Sequence, residues 1–253
     1  MLRTPAPLRD LPHGPPLHLE RPGRALELLG PFLLPERVAR MQRALAMRTA
    51  HTTIVLEHLH DPHNIGACIR TLDALGLQDL HVIRQPVIQP GAAYPEPLKL
   101  GRDVTRGSER WLDVHTYDHG ADAFAALKNA GYAIAVTDIH GDRPSHAPTD
   151  VPLDRPLAVV FGNEHEGVSE AAREAADMRL LLPMHGFVES LNVSVAVAMI
   201  MGRLRERVDC EIPAEIRNLP TERSNRILDR WICNDIPNLR VVVRELQART
   251  SHH

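Results

Sequence analysis

The feature that most limits what this chain can fold into is a repeated switch of hydrophobic period. Between residues 52 and 184, short and largely unbroken apolar runs alternate with segments whose apolar residues recur every three to four positions. TTIVLEH (52–58), LHVI (80–83), WLDVHTY (111–117), YAIAVTDI (132–139), LAVVFG (157–162) and MRLLLPM (178–184) read as strands. NIGACIRTLDALG (64–76), closed by Gly76, reads as a helix, as do residues 120–130, 168–176 and 190–206. Strand alternating with helix specifies a parallel sheet covered on both faces, and unbroken apolar runs fit strands buried on both sides. The predicted fold class is α/β: a mostly parallel sheet with helices on both faces.

The flanks differ in character. Residues 1–23 are broken by Pro and Gly, PHGPP among them, and read as a loosely ordered lead-in. PERVARMQRALAMR (35–48) predicts a helix, with Pro35 in its first turn, Glu36 at the positive end and Arg48 at the negative end. Residues 85–107 show no period and read as a long loop. Beyond 206 the composition turns polar, and TERSNRILDRWICNDI predicts an appended helix carrying Trp231. The expected division is a Pro/Arg-rich extension (1–50), a main domain (51–206) and a helical tail (207–253).

The net charge of −3 hides an asymmetry: +4 over residues 1–50, −9 over 51–202 and +2 over 203–253. Arginine supplies all the basic charge of both ends, and its planar fork suits phosphate. Arg37, Arg40 and Arg43, spaced i, i+3, i+6, and Arg223, Arg226 and Arg230 are the candidates for gripping phosphate. The plainer alternative is that both trios are solvated helix faces. Aromatics make up only 4%, which argues against a base-stacking platform. No run of eighteen apolar residues predicts a membrane span, and no basic-then-apolar leader precedes the chain. The three cysteines, Cys68, Cys210 and Cys233, form no CxxC pair. Together these point to a cytoplasmic protein with reduced thiols and no membrane partner.

Ligands of such sheets bind beyond the carboxyl ends of the strands. Three ends are unusual: HLHDPHN after the first strand, GNEHEG after 157–162, and HGFVESLN after 178–184. GNEHEG has the glycine spacing of a phosphate loop, but Val168 stands where the lysine belongs. No GxGxxG follows a strand. His58, His60 and His63 lack an HExxH or Cys/His quartet, so no metal is expected. Ser190 lacks the GxSxG elbow of an acyl-transfer nucleophile. What remains is a site built largely from backbone. Gly162, Gly167 and Gly186 would let a ligand approach the chain, and Leu181, Leu182 and Leu191 offer a surface for a ring. That suits an adenine held without phosphate contacts, and so S-adenosylmethionine better than a nucleotide.

These segments resemble the three motifs of the SPOUT class of RNA methyltransferases, in its SpoU/TrmH branch of ribose 2′-O-methyltransferases. The motifs are HDPHNIGACIRTLDALG, FGNEHEGVSE and LPMHGFVESLNVSVAVA, in the expected order. RGSERW (106–111) is similar to the family's mid-domain linker, and the likeness extends over 35–233. The resemblance implies a C-terminal trefoil knot, a homodimer, S-adenosylmethionine as cofactor and RNA as substrate. It implies that Asn64, Arg70, Glu164, Ser190 and Asn192 are the catalytic set. Arg70 would activate the ribose hydroxyl, as a base or as an electrostatic stabiliser. It also implies cofactor contacts from Thr137, Gly162, Leu182 and Leu191. The likeness of the end segments to the tRNA-modifying members favours tRNA, at a D-loop guanosine. The alternatives are an rRNA ribose methyltransferase, or a knotted RNA-binding protein without catalysis.

Overall fold

The computed structural model describes residues 22–59, 61–84, 107–138, 142–163, 166–239 and 241–243. The predicted 85–107 loop except Gly107, nearly all of the predicted lead-in, and Glu164 lie outside them.

The described strands are β1 (Thr52–Glu57), β2 (Asp79–Ile83), β3 (Asp113–Tyr117), β4 (Ala133–Val136), β5 (Ser145–His146), β6 (Leu157–Phe161) and β7 (Met178–Leu180). They form one seven-stranded sheet in the order β3-β2-β1-β6-β4-β7-β5. Every pairing is parallel, for example Ile54 with Leu80 on one side of β1 and with Val159 on the other. The helices are α1 (Arg24–Leu29), α2 (Pro35–Ala46), α3 (Pro62–Leu75), α4 (Gly120–Asn129), α5 (Glu170–Ala175), α6 (Val193–Glu211), α7 (Ala214–Arg217) and α8 (Thr221–Asp235).

The alternation of side chains along each strand makes two cores from one sheet. Leu157, Val159 and Phe161 of β6 join Ile54, Leu56 and the apolar faces of α3 and α6. Ala158 and Val160 point the other way, to Val55, Val136 and the apolar faces of α4 and α5. Both sides of β1, β2, β4 and β6 are buried. That is why their sequences are continuous rather than alternating.

Among the described residues, those of Thr49–Asn218 form one compact unit, and those of Thr4–Arg48 and Leu219–His253 form another. The first holds the sheet and α3 to α7. The second holds α1, α2 and α8. This differs from the expected division in two ways. The boundary at 206 falls inside α6, and the two flanks, expected apart, pack together. The polar turn in composition misled because residues 203–211 continue α6 through internal ion pairs, Arg203–Glu206, Arg205–Asp209 and Arg207–Glu211. Arg207 also donates to the carbonyls of Pro148 and Val151, and Arg217 to those of Asp209 and Ile212. A polar segment is thus fastened to the first unit.

In the second unit α8 turns Ile227, Leu228, Trp231 and Ile232 inward, against Ala25, Leu29, Met41 and Leu45. Asp229 is buried among them and accepts from the backbone N–H groups of Gly23 (2.7 Å) and Ala25 (2.9 Å). It thereby caps α1 from another helix, which needs such a cap because Gly23 provides no side chain.

Candidate active site

The carboxyl ends of β1, β6, β4 and β7 are neighbours in the sheet, and the segments that follow them carry the motif residues. After β1, His58 takes a left-handed backbone (φ 56°). Asp61 then caps α3, accepting from the His63 N–H at 2.9 Å, with Pro62 in the first turn. The helix presents Asn64, half-buried, and Arg70, exposed. Arg70 makes no hydrogen bond or ion pair with any described residue.

The segment after β7 returns to this helix. Asn192 Nδ2 donates to Asn64 Oδ1 at 3.0 Å, joining the first motif to the third. The oxygen of the same amide is also used: Asn192 Oδ1 accepts from the Ser194 N–H (2.9 Å) and hydroxyl (2.6 Å), capping α6. Asn192 thus fixes both the start of a buried helix and the orientation of Asn64. Ser190 is exposed, and no hydrogen bond to Arg70 accompanies it. The structure brings Asn64 and Asn192 together and leaves Arg70 and Ser190 facing solvent.

After β6 the chain makes a tight reversal. A Cβ on Gly162 would lie 2.0 Å from the backbone C and O of Gly167, and Gly167 itself has φ +69°. Gly167 N–H donates to the Asn163 carbonyl at 3.1 Å, and the Asn163 side chain accepts from the Glu166 N–H at 2.6 Å. So Gly162 is required by the loop's own packing and Gly167 by its left-handed backbone. Of the three predicted close-approach glycines, only Gly186 has open space around its Cβ position without a left-handed backbone.

The residues present fit an adenosine-bearing cofactor. Leu182 and Leu191 are half-buried and apolar, at either end of the segment after β7. No backbone N–H of Leu182 or of residues 184–192 donates to another described backbone group. Thr137, after β4, donates both its hydroxyl (2.9 Å) and its backbone N–H (3.0 Å) to the Val160 carbonyl, which leaves its own carbonyl and methyl for a ligand.

Four residues at these strand ends escaped the sequence reading. Glu57 closes β1 and is 1% exposed. Its carboxylate accepts from the Ser169 N–H (2.8 Å) and hydroxyl (2.7 Å). Asp138, 7% exposed after β4, accepts from Arg173 Nε at 2.6 Å. That bond, more than any other interaction, raises the Arg173 pKa above its usual value. The available signal was an acid closing the otherwise uncharged run TTIVLE, where burial needs a partner.

The candidate RNA-binding arginines divide. Arg40 and Arg43 are exposed on α2 and pair with no described residue. Arg37 is held by Asp235 in a two-bond fork, both at 2.7 Å, which raises its pKa. Arg226 pairs with Glu222 at 2.6 Å. Arg223 and Arg230 are half-buried.

Residues 51–202, more than half of the chain, match the SpoU rRNA Methylase family. The chain belongs to this family. A SpoU-family relative from Borreliella burgdorferi, a tRNA (guanosine(18)-2'-O)-methyltransferase, is 34% identical over 185 residues, 73% of this chain and 80% of its own length. One of the same name from Thermus thermophilus is 32% identical over 197 residues, 78% of this chain and 95% of its own. The crystal structure of the Aquifex aeolicus TrmH/SpoU tRNA modifying enzyme superposes with a TM-score of 0.68 at 27% identity. It covers 80% of this chain and 98% of that one.

Proposed function

We propose that the chain methylates the 2′-hydroxyl of a tRNA ribose, at a D-loop guanosine, using S-adenosylmethionine. The observation that carries this reading is the hydrogen bond from Asn192 to Asn64. It ties the helix of the first motif to the mouth of α6 and leaves Arg70 exposed beside them on α3. The tRNA-specific names of relatives that match 73% and 78% of the chain, beyond the 51–202 core, favour tRNA over rRNA.

The bound cofactor supplies a methyl group activated by its sulfonium. Everything else falls to the protein. The ribose hydroxyl must lose its proton, to solvent water at this exposed site, as its oxygen bonds to the methyl carbon and that carbon's bond to sulfur breaks. Arg70 has five donors and no lone pair, so its role is to stabilise the developing alkoxide, or to hold the adjacent phosphate, rather than to accept that proton. Asn64, oriented by Asn192, positions the ribose. Ser190 and Glu164 complete the catalytic set, while Thr137, Gly162, Leu182 and Leu191 line the cofactor. Holding two reactants in line lowers the barrier by several kcal/mol, on the order of the effective molarities of oriented reactions.

The reading includes a trefoil knot. Its support is the strand order: β6 enters between β1 and β4, both already laid down, before the chain returns through 181–192 to Asn64. It also includes a homodimer. Val195 and Met199 of α6, with Phe187 and Val188 before it, are exposed apolar residues on one stretch of chain. Arg40 and Arg43 are the best placed of the terminal arginines for phosphate. No helix among the described residues is long and apolar enough to cross a membrane, and a cytoplasmic enzyme is the setting we assign.

The test is direct. Purified protein is incubated with labelled S-adenosylmethionine and either tRNA or rRNA from cells lacking the enzyme, and the methylated nucleotide is mapped. Label in a D-loop guanosine, lost when that ribose is replaced by deoxyribose, is the expected result. Label confined to rRNA, or on a base, overturns the reading.

A further inference from the structure

The loop after β6 is tight within itself, but its height above the sheet is set elsewhere. It ends at Ser169, which caps α5 by accepting from the Ala172 N–H at 3.1 Å. Both donors of Ser169, the backbone N–H and the hydroxyl, go to the two oxygens of Glu57 at the end of β1. One turn later, Arg173 of the same helix donates to Asp138 at the end of β4. In the sheet, β6 lies between β1 and β4. The loop that leaves β6 is therefore strapped down on both sides by carboxylates from the two adjoining strands.

A buried carboxylate is a costly way to hold a helix in place. Glu57 is almost wholly buried and meets neutral donors in Ser169, so its charge is stabilised by dipoles alone in these contacts. An apolar side chain at the end of β1 would pack more cheaply. What the carboxylate gives is geometry: two charge-assisted bonds to one residue fix distance and direction together. The start of α4 closes over it, since a Cβ on Gly120 would stand 3.6 Å from Glu57 Oε1. At β4 the strap residue Asp138 follows directly on Thr137.

We propose that Glu57 and Asp138 are positioning residues for cofactor binding, acting through Ser169 and Arg173 to set residues 166–168 and, through the Gly162–Gly167 contact, Gly162 at the height the cofactor requires. This rests on the reading of that loop as a wall of the S-adenosylmethionine site. Glu57 and Asp138 do not touch the reacting atoms. They act on affinity for the cofactor and leave the substrate side, Asn64 and Arg70, in place.

The test uses the full-length protein and four variants: Ser169→Ala, Ser169→Thr, Glu57→Gln and Asp138→Asn. S-adenosylmethionine affinity is measured by calorimetry, tRNA affinity by filter binding, and melting temperature alongside. Ser169→Ala and Glu57→Gln should weaken cofactor affinity about tenfold, the worth of one charge-assisted hydrogen bond. They should raise KM for the cofactor with kcat within about threefold, and leave tRNA affinity unchanged. Ser169→Thr, which keeps the hydroxyl, should restore cofactor affinity. Asp138→Asn should act in the same direction and less strongly, because Arg173 is partly solvated. If the wild type fails to bind the cofactor, the reading of the loop is wrong and the proposal goes with it. If the wild type binds while Ser169→Ala and Glu57→Gln bind equally well, or lose only melting temperature, the straps are structural and the proposal alone is overturned. Should Glu57→Gln not fold, the contrast between Ser169→Ala and Ser169→Thr decides.

Discussion

Arginine is put to opposite uses at Arg70 of one unit and at Arg37 and Arg48 of the other. In the unit that carries the sheet, Arg70 stands exposed on α3 and bonds to no described residue. In the unit of terminal helices, Arg37 is fixed by both oxygens of Asp235, and Arg48 is 3% exposed with its guanidinium 5.3 Å from the Trp231 ring centre. A cation that is spent on the fold is not available to a substrate, and an exposed unpaired one costs the fold nothing to give up. The lesson is that the number of arginines in a segment says little about binding. Their commitments decide it, and commitments are tertiary.

The sharpest way to break that comparison is to remove Arg70. Arg70→Ala should lower turnover about a hundredfold to a thousandfold, the loss seen when one donor to a developing oxyanion is deleted. Melting temperature and S-adenosylmethionine affinity should stay near those of the wild type, because no described residue holds on to the side chain. Arg70→Lys should fail similarly, since an ammonium cannot reproduce the planar fork. Single-turnover methylation beside a melting curve measures both. Turnover within a few-fold of wild type would remove Arg70 from the mechanism, and a large fall in melting temperature would show that it was a structural residue after all.

The same contrast explains what could be read from the sequence. Six of the seven strands were legible because buried strands leave apolar runs, as in TTIVLE and LAVVF, while the two-residue β5 was not; the helices expected from 64 and 190 start at Pro62 and Val193, behind the caps Asp61 and Asn192. The extent of α6 was not. Its last two turns are polar and hold through i, i+3 and i, i+4 pairs and bonds to residues 148 and 151, some sixty positions away. α1 was missed for the same reason, since its cap is Asp229, 204 positions on. The motif residues themselves were readable as types, but the Asn64–Asn192 bond spans 128 positions and Glu57–Ser169 spans 112. No local pattern signals such pairings. Glycines were readable as necessary, yet for Gly162 the reason differs from the one expected: the loop's own backbone fills the space where a side chain would be.

A second experiment sharpens the comparison inside the terminal unit, where committed and uncommitted arginines share one helix. Replacing Arg40 and Arg43 together by Ser should weaken tRNA binding and lower the slope of log affinity against log salt. Each phosphate that the variant no longer neutralises takes roughly 0.7 to 0.9 from that slope. Melting temperature and cofactor affinity should hold. Arg37→Ala should do the reverse in kind, lowering the melting temperature by breaking the fork to Asp235, at a cost of about 1 kcal/mol for a pair still partly screened by solvent. The measurement is tRNA affinity at several salt concentrations for wild type and both variants. If the Arg40/Arg43 variant keeps the wild-type slope, that face is only solvated surface, and tRNA is gripped by other residues.

The smallest effect concerns the acid at the centre of the terminal unit. Burial is the largest influence on Asp229 and lifts its pKa above the ordinary carboxylate value, aided by Glu27, while the N–H groups of Gly23, Ala25 and Leu26 pull it down. Burial wins. The sign follows from linkage: a carboxyl whose folded pKa lies above its unfolded one binds its proton more tightly in the native state. Its contribution to stability is therefore complete below the unfolded pKa and is lost as pH rises through the folded one. This runs against the usual trend, in which paired carboxylates make a protein more stable as acid is removed. In Asp229→Asn the group is neutral at every pH and still accepts one bond at the start of α1. The variant should be less stable than wild type by about 1 kcal/mol at pH below the folded pKa, where the wild-type proton is in place and one cap bond has been lost. That deficit should shrink as pH rises past the folded pKa, because only the wild type must then bury a charge. Melting curves of the full chain and the variant across the acid range read the difference directly. A deficit that stays constant with pH, or grows as pH rises, would mean that the backbone donors outweigh burial, and that Asp229 serves α1 as an ionised cap.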